Sequence, residues 1–253
     1  MDEPVVGDAF GELLRAALAE QTGRGPRPTI IARYPTPVTE LVERDDGFLS
    51  ALPAARYLAP PADWVDLDHR ALALVRGRVL DVGTGAGRAA LALQERGVPV
   101  TGLDVSAGAV EVCRARGVRD AVLSTVADHT GRYDTFLLLG NNLGLLGSRR
   151  AAPRFLADLA ALAAPGARIV AQGTDPYDTA DPLHHAYHER NRSRGRWAGE
   201  MVMRIRHRNL ATDWFEYLLC TPDELAVVLV GTGWRVEAVE PYPPRYLAVL
   251  VRA

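Results

Sequence analysis

The sequence predicts an α/β fold, a doubly wound and mostly parallel seven-stranded sheet with a C-terminal antiparallel strand. Three observations carry that expectation. Short apolar runs at residues 79–82, 98–104, 121–126, 135–140 and 168–172 alternate with helical stretches, the pattern of parallel strands joined by crossover helices. The run Val79-Leu-Asp-Val-Gly-Thr-Gly-Ala-Gly-Arg joins the first of these strands to a helix through three glycines at alternate positions. The chain then closes with strand-like residues 234–240 and 246–251, joined by a Pro-Tyr-Pro-Pro-Arg link too short for a crossover helix. Those two strands must pair antiparallel or leave the sheet.

Each element has a local reason. Within residues 8–18, Phe10, Leu13, Leu14, Ala17 and Leu18 fall at helical spacing, and the glycines and prolines of 23–28 break the helix. Residues 34–61 are rich in proline, aromatics and acids and read as short turns, and residues 64–75 read as a second helix leading to the glycine loop. Residues 1–76 are therefore expected to form an N-terminal helical cap segment, either closing on a substrate or lying passively over the sheet. Ser106 is placed to cap a helix running to Arg116, and Ser148 one running to Ala163 that Pro165 and Gly166 stop. Residues 174–220 are too long for a plain connection and predict an inserted lid: a helix starting near 181 and a hairpin of 200–208 with 213–219. Thr221-Pro-Asp-Glu224 is a capping box with proline at the first helical position.

Composition narrows the chemistry. The 253 residues suffice for one substantial core plus an embellishment, and a net charge of −2 draws the protein to neither nucleic acid nor membrane. All 29 basic residues are arginine, so no lysine is present for Schiff-base catalysis. Cys113 and Cys220 lie far apart and suggest neither a disulfide framework nor a zinc site, so a reducing cytoplasm is the expected location. No apolar run reaches the roughly 20 residues that span a bilayer.

The glycine loop points to function. Glycines at 83, 85 and 87 let the backbone approach a ligand closely, ahead of a helix whose free N–H groups point at it. Asp81 precedes them, and a second strand ends in Asp104, about 20 residues on, where a ribose would present its hydroxyls. A dinucleotide fingerprint would place its third glycine at position 88, which is Arg88 here. With this spacing and the two acids, residues 70–253 resemble the class I S-adenosylmethionine (SAM)-dependent methyltransferases.

That resemblance implies a Rossmann-like methyltransferase domain over residues 77–253, with SAM as cofactor and S-adenosylhomocysteine as product. Asp81, Gly83, Thr84, Gly85 and Gly87 would pack against the methionine and ribose part of the cofactor, and Asp104 with Val105 would hold the ribose end. Asp128 falls where many relatives bind the adenine amino group, or else caps a turn. Gly140, Asn141 and Asn142 end the fourth strand, where donor and acceptor should meet; Asn141 is a catalytic candidate, Gly140 a cofactor contact and Asn142 a substrate contact. This is not the Asn-Pro-Pro-Tyr motif of base-amino methylating enzymes, which argues against a nucleic-acid base as substrate.

In the lid, Asp175, Tyr177 and His185 are expected to contact substrate, and His184 or His188 to orient or deprotonate it, histidine being matched to proton transfer near neutral pH. No ligand set for a metal is evident. Arg204, Arg206 and Arg208 share one face of the lid hairpin, as a phosphate-binding stripe or a solvated face guarding a sheet edge. The expected partner is a small-molecule methyl acceptor, with no membrane and no nucleic acid; an oligomer is compatible with the sequence. The alternatives are an RNA or protein methyltransferase, or a non-catalytic SAM-binding subunit.

Overall fold

The computed structural model describes residues 3–24 and 37–252, so the expected break over 23–28 and the start of the 34–61 stretch fall largely outside the described residues. In chain order the elements are β1 (Val5–Val6), α1 (Ala9–Gln21), β2 (Thr39–Arg44), β3 (Leu49–Pro53) and α2 (Asp66–Ala73). Then come β4 (Val79–Val82), α3 (Arg88–Glu95), β5 (Val100–Asp104), α4 (Ala107–Ala115), β6 (Ala121–Leu123), β7 (Tyr133–Leu138) and α5 (Ala152–Ala161). The chain continues through β8 (Ala163–Thr174), α6 (Pro182–Ser193), β9 (Glu200–His207), β10 (Leu210–Ala211), β11 (Phe215–Leu218), α7 (Pro222–Leu229), β12 (Trp234–Tyr242) and β13 (Arg245–Arg252).

The main sheet has seven strands in the order β12-β13-β8-β7-β4-β5-β6. Strands β4, β5, β6, β7 and β8 pair in parallel, whereas β13 runs antiparallel to both β12 and β8. The antiparallel strand follows from the short link before it, as expected. Alternate residues of β7 feed opposite faces: Phe136 and Leu138 enter the core shared with Leu156, Leu225 and Trp234, and Leu137 enters that shared with Leu67, Leu93 and Val170. Each such fully buried side chain contributes roughly 1.5–3 kcal/mol. Strand order reverses at β4, with β5 on one side and β7 on the other, which opens a crevice at the carboxyl ends of these strands.

A second sheet departs from the sequence expectation. Residues 34–61 are not a run of turns: β2 and β3 form an antiparallel hairpin, and β2 pairs with β9 of the inserted segment. Strands β10 and β11 lie along the other edge of β9, and β1 adds to β10, giving six strands in all. Residues 1–76, expected to be helical, thus include strands, and one hydrogen-bonded ladder joins them to the inserted segment 174–220. The hairpin was hidden because β2 is polar at four of its six positions and its partner, β9, lies some 161 residues away.

Smaller shifts have local causes. Helix α5 starts at Ala152, later than expected: the Ser148 hydroxyl donates to Glu216 at 2.8 Å and accepts the Ala151 N–H at 3.3 Å, closing a turn ahead of the helix. The capping box forms as expected, with Thr221 and Glu224 bonding reciprocally. No helix among the described residues is long and apolar enough to cross a membrane.

Candidate active site

The three loop glycines all adopt left-handed backbone, with φ of 68°, 58° and 76° at Gly83, Gly85 and Gly87. Only two of these positions are filled by the protein itself. A Cβ at 83 would lie 2.6 Å from the Asn142 amide nitrogen and one at 87 2.6 Å from Val118, whereas one at 85 would meet only Phe10 and Tyr57, at 3.7 and 3.8 Å. Gly85 is therefore the point where the loop offers its backbone to a ligand.

Two buried carboxylates fix the loop. Thr84 donates its hydroxyl to Asp81 at 2.6 Å. Asp104 accepts the Gly85 N–H at 2.8 Å on one oxygen and the Ser106 N–H at 2.9 Å on the other. Burial pushes the carboxyls of Asp81 and Asp104 up to about 6, against the hydrogen bonds from Thr84 and from the loop amides respectively. Beside them Val105 is 72% exposed, an apolar plate at the lip of the crevice. Asp128 is exposed and closes its own turn with Thr125, whose hydroxyl donates to it at 2.7 Å.

Arg88, where a dinucleotide fold would have glycine, pairs with Asp68 at 2.7 Å and lies 4.9 Å from the centre of the Trp64 ring. Asp68 also accepts from Gln172, whose carbonyl oxygen takes the Gly140 N–H at 2.8 Å. A buried relay thus ties the start of α3 to the end of β7.

At that end, Asn141 sits in left-handed backbone, φ 73°, which asparagine tolerates better than most side chains. Its side-chain oxygen accepts from Thr174 at 2.9 Å and its carbonyl accepts from Tyr217 at 2.6 Å. Asn142 donates to the carbonyls of Val82 and Gly83 at 3.0 and 2.9 Å, so its amide braces the glycine loop. Gly140 is exposed between these contacts and the crevice.

The lid residues gather around a different turn. Asp175 accepts the Tyr177 N–H, and the Tyr177 hydroxyl donates to Glu224 at 2.8 Å. His184 and His185 both bond Thr179, through its hydroxyl at 3.1 Å and its carbonyl at 2.9 Å. His188 is buried, with its ring edge-on to Tyr177, and burial draws its imidazole below the usual histidine range. Among the described residues no three His, Cys, Asp or Glu side chains gather where they could hold a metal ion.

Several site residues escaped the sequence reading. Phe10 and Tyr57 stack edge to face at 5.2 Å over Gly85, and the Tyr57 hydroxyl donates to the buried Glu40 at 2.8 Å, which Arg56 also meets. Tyr217 occupies the side-chain space of Gly144 and reaches Asn141. Burial raises the Tyr57 and Tyr217 phenols well above the ordinary tyrosine value, so both stay protonated donors. Tyr57 lies in a stretch whose composition reads as turns, and no local pattern there marks it as a site residue.

A Rossmann-like sheet, a glycine turn over its switch point and a buried carboxylate closing the second strand define a nucleoside-binding transferase of the class I type. The residues fit SAM: a buried carboxylate, Asp104, to take the ribose, Val105 beside it, and a Gly85 backbone that only the Phe10 and Tyr57 rings approach. A family profile described as a methyltransferase domain matches residues 54–239, and the chain belongs to that family; it is a SAM-dependent methyltransferase. Its fold is similar to that of a SAM-dependent methyltransferase from Bacteroides fragilis in complex with S-adenosylhomocysteine, with TM-score 0.78, 26% identity and 99% of each chain covered. The CcbJ methyltransferase from Streptomyces caelestis matches with TM-score 0.58 and 18% identity over 78% of this chain and 92% of that one. The glycopeptide N-methyltransferase MtfA in complex with SAM gives 0.53 and 17% over 74% and 86%.

The raised carboxyls predict a pH dependence. Both sit at about 6 in the folded protein against an ordinary 3.8, so the ligand-free fold holds these protons more tightly than the unfolded chain. Their stabilisation is complete below 3.8 and is lost as pH rises through about 6. Ribose hydroxyls placed on Asp104 would need its ionised form, so S-adenosylhomocysteine affinity is then expected to fall as pH drops below about 6. Calorimetry from pH 8 to 5 checks this; a flat profile contradicts it.

Proposed function

We propose that this methyltransferase moves the methyl group to an O, N or C nucleophile of a small-molecule acceptor. The observation that carries the reading is the second sheet with its flanking segments, which bring Tyr57, Glu40 and Tyr217 to the carboxyl ends of the parallel strands. Such a roof suits a compact acceptor better than a polymer. The arginine stripe lends a polymer no support: Arg204 and Arg206 both pair with Glu43, at 2.8 and 3.3 Å, and Arg204 stacks 4.5 Å from the centre of the Trp214 ring. Arg204 is 8% exposed, the reverse of a solvated face. The free, buried Cys113 and Cys220 suit a reducing cytoplasm.

SAM, when bound, supplies an electrophilic methyl group on its sulfonium. The chain's own work is to hold the nucleophile in line with it and to exclude water, which supplies most of the acceleration in such a transfer. Asp104 and Val105 would fix the nucleoside, the Gly85 backbone would lie along the amino-acid part, and Asn141, held by Thr174 and Tyr217, would mark where donor and acceptor meet. Asn142, Asp175, Tyr177, His184 and His185 would act in shaping the acceptor side, and Asp128 in closing the adenine side.

A base is needed only if the acceptor arrives protonated, and His188, neutral through burial, is the histidine suited to it. Replacing it with alanine is then expected to lower turnover about a hundredfold with S-adenosylhomocysteine affinity intact, and His184→Ala and His185→Ala to change turnover only a few-fold. Equal rates for all three variants would leave the lid a shaping role alone. The function itself is tested by supplying methyl-labelled SAM with separate small-molecule, RNA and protein fractions. Label is expected in the small-molecule fraction; label in RNA or protein would overturn the reading.

A further inference from the structure

The N-terminal helix is bound into the cofactor site through one carboxylate. Asp8 caps α1 by accepting the Gly11 N–H at 2.8 Å, and it also accepts the Ser106 hydroxyl at 2.7 Å and the Gly108 N–H at 2.8 Å. Ser106 is itself the cap of α4, and its own N–H holds Asp104 at 2.9 Å. A single side chain therefore serves the first turns of two helices, each with N–H groups that lack partners inside the helix.

The two helices can approach this closely because they cross at a glycine pair. A Cβ at Gly11 would lie 2.7 Å from the Gly108 Cα, and a Cβ at Gly108 would lie 2.5 Å from the Gly11 Cα. Farther along, Arg15 of α1 donates to Glu111 of α4 at 2.9 Å. The same helix carries Phe10 to within 3.7 Å of the Cβ position of Gly85.

We propose, resting on the ribose role of Asp104 proposed above, that Asp8 is a positioning residue for Asp104: by fixing Ser106 it sets the orientation in which the Asp104 carboxylate meets the ribose hydroxyls, so docking of α1 and cofactor binding are linked. Linkage is reciprocal, so the cofactor also steadies α1 on α4. A purely structural Asp8 would hold α1 without affecting how the ribose is read.

The test titrates the full-length protein, as wild type and Asp8→Asn, with S-adenosylhomocysteine and with its analogue lacking both ribose hydroxyls. Asparagine caps a helix about as well as aspartate, so α1 stays formed, while its amide would face the Gly108 N–H donor to donor and shift the side chain off the α4 N-terminus, loosening its hold on Ser106. Asp8→Asn is expected to weaken S-adenosylhomocysteine about tenfold and the analogue by less than about twofold. Amide exchange in α1, slowed by S-adenosylhomocysteine in the wild type, should respond less in the variant. Should Asp8→Asn fail to fold, Ser106→Ala, which keeps the backbone N–H on Asp104, must show the same ribose-selective loss. Equal losses for both ligands, or no loss for either, would overturn the proposal.

Discussion

Replacing Asp104 with alanine is expected to weaken S-adenosylhomocysteine by tenfold or more in a protein that remains folded. Two ribose hydroxyls on an ionised carboxylate are charge-assisted bonds worth roughly 1.5–3 kcal/mol, about a tenfold to hundredfold change in affinity. The same substitution frees the Gly85 and Ser106 N–H groups that Asp104 holds at 2.8 and 2.9 Å, loosening the loop as well. Stability suffers less than a lost buried acid would suggest, because burial already pushes this carboxyl up to about 6 and makes its charge costly. Calorimetry with a thermal melt separates the two effects; unchanged affinity in a folded variant would remove Asp104 from the site.

Gly85→Val is expected to abolish measurable binding. At φ 58° a β-branched side chain strains the backbone by roughly 1–3 kcal/mol. Its Cβ would already touch Phe10 at 3.7 Å and Tyr57 at 3.8 Å, so its two methyl groups would push these rings or the loop out of place where the proposed cofactor site meets them. Strain and displacement together predict more than about a hundredfold loss of affinity. Gly87→Ala makes the contrast: its Cβ would lie 2.6 Å from Val118 and 3.0 Å from Cys113, inside the protein, so it should lower the melting temperature first. Wild-type affinity in Gly85→Val would mean that the ligand does not lie on this loop.

These predictions rest on residues that were legible from the chain, and the reason is local. The glycine trio, Asp104 and the strand alternation each announce themselves within a few residues, because strand period, turn chemistry and capping are short-range. The antiparallel C-terminal strand was legible from a link too short to cross over. Of the second sheet, the hairpin of residues 200–208 with 213–219 was legible and forms as β9 with β11, whereas the β2–β3 hairpin and its ladder onto β9 were not, since β2 and β9 lie far apart and β2 is mostly polar. For the same reason Tyr57 and Glu40 were missed; the strand of Tyr217 was expected, but not that it reaches Asn141 at the crevice. The lid histidines show the converse limit: clustering within five residues was visible, but two of the three turn toward Thr179, and only His188 is buried.

The structure of the protein with S-adenosylhomocysteine bound tests the central claim most directly. The ribose hydroxyls should lie on Asp104, the adenine beside Val105 and the sulfur toward Asn141, with a small closed space next to it bounded by Tyr57 and Tyr217. A ligand bound away from Gly85 and Asp104, or a sulfur facing an open basic groove, would contradict a small-molecule methyltransferase working at the roofed carboxyl ends of this sheet.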